Sequence, residues 1–199
     1  FAKAGKGNFA ALAPNHTIGR DWLSGEQRNA ISGLLESHDR ISIVRGVAGS
    51  GKTTLMREAI EAIEENGRHV TVLAPTAEAA HDVLAEKEGF DANTLARFMV
   101  DERLHAKAAK GVIWVDEGAL VGTRDLARLA ELADSIDARL ILSGDAKQHQ
   151  PVAAGLPFQL LETQAGIKPF EVKTIRRQEK DDYRQAVSVL SAGDATAGL

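Results

Sequence analysis

The chain has no cysteine. That excludes disulfides and thiolate metal sites, and it suits a reducing, cytoplasmic setting. Long hydrophobic runs are also missing. None approaches the ~20 residues that span a bilayer, and no signal-peptide pattern appears, so no membrane partner is expected. The six histidines (His16, His38, His69, His81, His105 and His149) are scattered, with no metal-ligand pairing. Nor does one sign of charge dominate. Lys and Arg number 24 against 28 Asp and Glu, a net −4. Such a balance neither invites nor forbids nucleic acid, because a local groove decides binding rather than the total. Internal repeats and low-complexity tracts are lacking too. What is there is a chain of 199 residues, 44% hydrophobic. It is neither disordered nor fibrous and can bury a substantial core as one large domain or two small ones. Starting at Phe1 and stopping in Ala197-Gly198-Leu199, it reads as a piece of a longer polypeptide.

Residues 1–20, rich in Gly, Ala and Lys and containing Pro14, read as a linker that Phe9 and Leu12 pack in place. Residues 21–199 then alternate strand-like and helix-like segments. Strands are expected at Ile41–Val44, Val70–Ala74, Val112–Val115, Leu140–Ser143 and Phe170–Lys173. Helices are expected near Gly25–Ser37, Lys52–Asn66, Ala77–Lys87, Asn93–Val100, Thr123–Ser135, Pro157–Thr163 and Asp181–Leu190. Continuous apolar strands such as VIWV indicate a sheet buried on both faces. Their alternation with helices predicts an α/β fold of three αβα layers around a mainly parallel sheet.

The chemistry begins at Gly46-Val47-Ala48-Gly49-Ser50-Gly51-Lys52-Thr53, which spells G-x-x-x-x-G-K-T between a β-branched strand and an amphipathic helix. Backbone N–H groups and the helix dipole make an anion site there. Lys52 reaches outer phosphates, and the Thr53 hydroxyl suits Mg²⁺, which takes only one or two protein oxygens. Gly46, Ala48, Gly49, Ser50, Gly51, Lys52, Thr53 and Thr54 are the expected contacts to a nucleoside triphosphate. The other reading is a glycine-rich turn that caps a helix.

Further motifs say which triphosphate enzyme this is. The strand VIWV ends in Asp116-Glu117. In an open parallel sheet the ligand crevice lies at the carboxyl ends of the strands, which places both acids beside the loop. Asp116 would hold Mg²⁺, and Glu117 would orient and deprotonate an attacking water. The strand LILS ends in Gly144-Asp145-Ala146-Lys147-Gln148. Gln148 can place a neutral amide at a γ-phosphate and change partners on hydrolysis; taken alone it is a polar loop. Arg176 and Arg177 follow the last strand, either as a solvated pair or as a source of an arginine finger. Upstream, Ser24-Gly25-Glu26-Gln27 reads as a capping box. Alternatively, the Gln27 amide, donor and acceptor at once, reads an adenine edge. It cannot easily do both.

As an ordered set, SGEQRNAI, GVAGSGKTT, LAPTAEAA, NTLARF, VDEGALVG, LSGDAKQHQPV and TIRRQ resemble the first RecA-like domain of a superfamily-one helicase. APT-x-x-AA with a GD-x-x-Q loop and a closing RQ looks like the RecD-type, 5′-to-3′ branch. VDEGALVGTRDLARL and AAGLPFQLLE resemble the helicase part of conjugative relaxases of the TraI, TrwC and TraA kind. The resemblance spans residues 22–199. It implies a RecA-like P-loop NTPase fold, with ATP and Mg²⁺ as cofactors and single-stranded DNA as partner. It implies adenine contact by Gln27, a metal acid at Asp116, a water acid at Glu117, γ-phosphate sensing by Gln148 and an arginine finger at Arg177. Thr76 and Thr94 match segments that hold the DNA backbone, though each also fits simple helix capping. Two departures stand out: His149 where the family usually has leucine, and Gly118 after the acid pair. The family's second RecA-like domain and a relaxase transesterase would lie elsewhere in the polypeptide, since this chain has one tyrosine, Tyr183, and no histidine cluster.

Overall fold

The computed structural model describes residues 5–47, 50–145 and 157–173. Among these, six strands form a wholly parallel sheet in the order β3-β2-β4-β5-β1-β6. The strands are β1 Ile41–Gly46, β2 Val70–Ala74, β3 Ala92–Thr94, β4 Val112–Val115, β5 Arg139–Gly144 and β6 Phe170–Val172. The helices are α1 Gly25–Leu35, α2 Lys52–Glu65, α3 Leu95–Phe98, α4 Glu102–Ala108, α5 Thr123–Ser135 and α6 Pro157–Ala165. A π-wound helix, Glu78–Lys87, follows β2, and a single 3₁₀ turn, Gly118–Leu120, follows β4.

Period-two alternation along the strands builds the three layers. Val112 and Trp114 of β4 pack with Leu34 of α1 and Leu55, Met56 and Ile63 of α2. Ile113 and Val115 point the other way, onto Leu126, Leu129 and Ala133 of α5 and Phe158 of α6. Helix α5 shows why it forms: Leu126, Leu129, Ala130 and Ala133 are its buried residues, one apolar stripe at helical spacing. The expected α/β architecture with helices on both faces is therefore what the chain adopts. No helix among the described residues is long and apolar enough to cross a membrane.

One local expectation needs correction, and two features are new. Asn93 and Thr94 belong to β3 rather than to a helix over Asn93–Val100; β3 pairs with β2 through Ala74 and Thr94, and only Leu95–Phe98 is helical. Helix α4 was not anticipated. Asp101 caps it by accepting from the Arg103 amide at 3.0 Å. The helix after β2 is wound wider than α, with the Glu88 amide donating to the Val83 carbonyl five residues back. The expected helix Asp181–Leu190 lies outside the described residues.

Residues 5–20 are bonded along the domain rather than hanging from it. Leu12 is fully buried, its amide donates to the Leu35 carbonyl at 2.8 Å, and its carbonyl accepts from Asn66 Nδ2 at 2.7 Å. Phe9 lies under the guanidinium groups of Arg40 and Arg139, 4.5 and 5.8 Å from its ring centre. The packing expected of Phe9 and Leu12 is present.

Candidate nucleotide-binding site

Because all the strands run the same way, their carboxyl ends share one edge of the sheet. Across it come Thr94 at the end of β3, Thr76 after β2, Asp116 and Glu117 after β4, Gly144 at the end of β5 with Asp145 beyond it, and the glycine loop after β1. The topology alone thus brings five separated sequence motifs to one crevice.

The loop is wound for a triphosphate. Gly51 adopts the left-handed conformation, φ 80° and ψ 32°, immediately before α2, so the first helical N–H groups face the loop. Lys52 Nζ donates to the carbonyl of Gly46 at 2.7 Å and to that of Val47 at 3.2 Å. Its ammonium therefore already stands inside the loop. Ser50 Oγ is buried with no hydrogen-bond partner among the described atoms. A Cβ added to Gly46 would meet Ser50 Oγ at 2.6 Å and Lys52 Cγ at 2.7 Å, so only glycine lets the loop close this tightly. An orphaned hydroxyl, an ammonium and a helix N-terminus around one turn fit phosphate oxygens. Thr53 and Thr54 open α2, half-buried at its start. Ala48 and Gly49 lie outside the described residues.

Gln27 forms the capping box with Ser24. Its Oε1 accepts from the Ser24 amide at 3.0 Å, and the Gln27 amide donates to Ser24 Oγ at 3.2 Å. Its Nε2 donates to the carbonyls of Ser50 at 3.0 Å and Gly51 at 3.3 Å. The side chain is 2% exposed. Both ends of the amide are taken, which leaves no edge for adenine in this arrangement. Instead α1 is clipped to the phosphate loop, and a Cβ on Gly51 would collide with Gln27 Nε2. Replacing Gln27 by alanine is expected to cost about 1–3 kcal/mol, since it removes the side-chain half of the capping box and strips a donor from the Ser50 carbonyl. The affinities for ATP and GTP should fall together. An adenine reader would instead lose ATP alone, a difference that competition binding resolves.

The acid pair stands on strained backbone. Asp116 continues β4, with its amide donating to the Leu73 carbonyl at 2.8 Å. Glu117 then turns left-handed, φ 52° and ψ 31°, a conformation rare outside glycine and concentrated at functional sites. Partial burial at the strand ends, and then the charge of Asp116, raise the Glu117 carboxyl above its usual range; Lys52 opposes them. Glu117 thus feels the charges of both Asp116 and Lys52. Gly118 also finds its reason here. A Cβ on it would come within 3.3 Å of Leu142 Cβ and 3.4 Å of the Phe158 ring, where β4 and β5 exit side by side.

Thr76 and Thr94 both cap. Thr76 Oγ1 accepts from the Ala79 amide and Thr94 Oγ1 from the Arg97 amide, each at 3.1 Å. Each hydroxyl keeps its own proton to give, so capping and gripping a phosphate are compatible. Gln148 and Arg177, with His149 and Arg176, lie outside the described residues. Sequence reasoning passed over two polar groups at this edge. Ser143 and Asp145 are 2% and 8% exposed on and just beyond β5. The available signal was a serine closing an otherwise apolar strand immediately before Gly-Asp.

A family model described as an AAA domain matches residues 22–199. The chain belongs to that family. Its mainly parallel α/β sheet is that of a RecA-like P-loop domain. Among curated relatives, the multifunctional conjugation protein TraI of Escherichia coli K12 is 34% identical over 187 residues, covering 89% of this chain and 10% of TraI. The conjugal transfer protein TraA of Rhizobium radiobacter is 33% identical over 186 residues, covering 89% and 16%. The ATP-dependent RecD2 DNA helicase of Deinococcus radiodurans is 32% identical over 200 residues, covering 97% and 27%. The chain thus spans only 10–27% of these relatives' lengths. Among solved structures, bacteriophage T4 UvsW superposes with a TM-score of 0.51 at 14% identity, covering 83% of this chain and 36% of UvsW, a likeness of fold.

Proposed function

We propose that this chain is the ATP-hydrolysing motor domain of a 5′-to-3′ single-strand DNA translocase, the helicase segment of a conjugative relaxase. The observation that carries this reading is the acid pair Asp116-Glu117, delivered by β4 to the same sheet edge as the phosphate loop after β1. Lys52, Ser50 and the loop N–H groups bind the triphosphate. Thr53 and Asp116 offer hard oxygens for Mg²⁺, which when bound would neutralise charge on the phosphates as the terminal group leaves. Glu117 takes a proton from the attacking water as its oxygen bonds the γ-phosphorus and the bridging oxygen departs. Gln148 senses the γ-phosphate, and Arg177 supplies positive charge to it. Thr76 and Thr94 hold the DNA backbone at the far side of the same edge, coupling grip to nucleotide state. A second RecA-like domain of the same polypeptide would close the cleft, and an upstream relaxase domain would do the nicking.

The test is phosphate release by the full polypeptide with and without oligo(dT) or oligo(rU). Strong stimulation by oligo(dT) supports the motor, while none overturns it. Stimulation by RNA instead would make it an RNA-directed relative. Unwinding only of duplexes with a 5′ tail supports the direction, and a 3′ requirement overturns it. A RecD-like repair helicase remains the second reading, because the RecD2 match covers 97% of this chain. A nicking activity in the full polypeptide distinguishes the two.

A further inference from the structure

Trp114 lies on β4 and Asp116, two residues on, extends its pairing through the Leu73 carbonyl, so the two share a face. On β5, Ile141 pairs with Trp114, which puts Ser143 on that same face beside Asp116. The indole Nε1 of Trp114 donates to Ser143 Oγ at 2.9 Å, and Ser143 Oγ donates to Asp116 Oδ1 at 2.7 Å. Trp114 is fully buried and Ser143 is 2% exposed.

We propose that Trp114 and Ser143 form a one-way buried relay that positions Asp116 for Mg²⁺. The proposal rests on the reading of Asp116 as the metal acid. An indole N–H can only donate, and a buried one needs an acceptor. Ser143 has one hydroxyl proton, and one lone pair of its oxygen accepts from the indole. That proton has two acceptors in reach: the Val115 carbonyl at 3.5 Å and Asp116 Oδ1 at 2.7 Å. The shorter contact is the length of a charge-assisted O–H···O⁻ bond, and donation by Trp114 strengthens it. Oδ1 is thereby engaged and the carboxylate fixed about its last torsion, so that Asp116 would meet a cation in one set orientation. Ser143 and Trp114 touch neither nucleotide nor metal; they are positioning residues.

Mg²⁺ titration of fluorescent-ADP binding to the full polypeptide tests this. Ser143→Ala should raise the Mg²⁺ needed for half-saturation about 10–100-fold, as loss of a group supporting a metal ligand does. ADP affinity in EDTA should stay as in the native protein. Ser143→Thr should restore the native value, and Trp114→Phe should shift it the same way by less. An unchanged Mg²⁺ requirement in Ser143→Ala overturns the relay, as does an equal loss of ADP affinity in EDTA. Should Ser143→Ala fail to fold, an unchanged requirement in Trp114→Phe overturns it. Asp116→Asn separates the two claims. If it keeps native Mg²⁺ dependence, the reading of Asp116 itself fails. If Asp116→Asn loses that dependence while Ser143→Ala keeps it, only the relay fails.

Discussion

Replacing Glu117 by glutamine is expected to slow ATP hydrolysis on the order of 10²–10⁴-fold, the usual contribution of a positioned general base, while ATP still binds. Glutamine keeps the size and the left-handed backbone of Glu117 (φ 52°) but cannot take the proton of the attacking water. Single-turnover phosphate release together with equilibrium ATP binding checks both halves. A variant that binds ATP and hydrolyses it at the native rate would remove Glu117 from the chemistry. The same substitution carries a stability prediction of the opposite sign. Burial, then Asp116, raise the folded-state pKa of Glu117, so the folded protein holds this proton more tightly than the unfolded chain. The ionised carboxylate therefore penalises the fold above its folded pKa, and the penalty is relieved as pH falls through that value. Glu117→Gln should melt higher than the native protein at neutral pH, and the two melting temperatures should converge in acid. Activity and stability then trade at one residue, as expected where strain and like charge are concentrated for catalysis.

How legible all this was in the sequence depends on what each element is made of. Strands β2 and β4 appear where expected because VTVLA and VIWV are buried at every position, and such runs announce themselves. β3 is Ala-Asn-Thr, a three-residue strand with two weak strand formers, held by backbone pairing to β2, so its residues read as the start of the following helix. Helix α4 has Ala108 as its buried residue, which leaves periodicity nothing to detect. The phosphate loop and acid pair were readable because their spacing encodes their chemistry. Gln27 was different, since a single amide fits two roles equally well in one dimension. The approach of Ser50 and Gly51 to its Nε2 exists only in three dimensions. Ser143 was hidden for a related reason: its partners, Trp114 and Asp116, sit 29 and 27 residues away, and strand register alone joins them.

The largest loss of stability is expected away from the crevice, at Glu58 in the middle of α2. Its carboxylate is buried, with 3% of the side chain exposed. It accepts from His16 Nε2 at 3.0 Å, from the Gly19 amide at 3.1 Å and from Arg20 Nη1. Glu58→Ala strands the His16 and Gly19 donors and leaves Arg20 to Glu61 alone, and losing three bonds to one buried carboxylate costs about 3–5 kcal/mol. For a domain of this size that lowers the melting temperature by about 6–20 °C. Arg20→Ala should cost less, because Arg20 is 20% exposed and shares its charge with solvent-facing Glu61. Burial on its own would raise the Glu58 pKa, but the bonds from His16, Arg20 and Gly19 outweigh it and the net shift is downward. Its stabilisation is therefore full above the unfolded-state pKa of about 4.3, and it is lost as pH falls through the lower folded-state value. The gap between native and variant melting temperatures should close in that acid range and stay constant above it. Hydrogen exchange locates the damage. Residues 12–19 should lose protection first, at the Leu12 and Ala13 amides that bond Leu35, before α2 itself opens. If α2 opened first, Lys52 at its start would be released with it, and the N-terminal segment would prove to be a brace for the phosphate loop as well as for the fold.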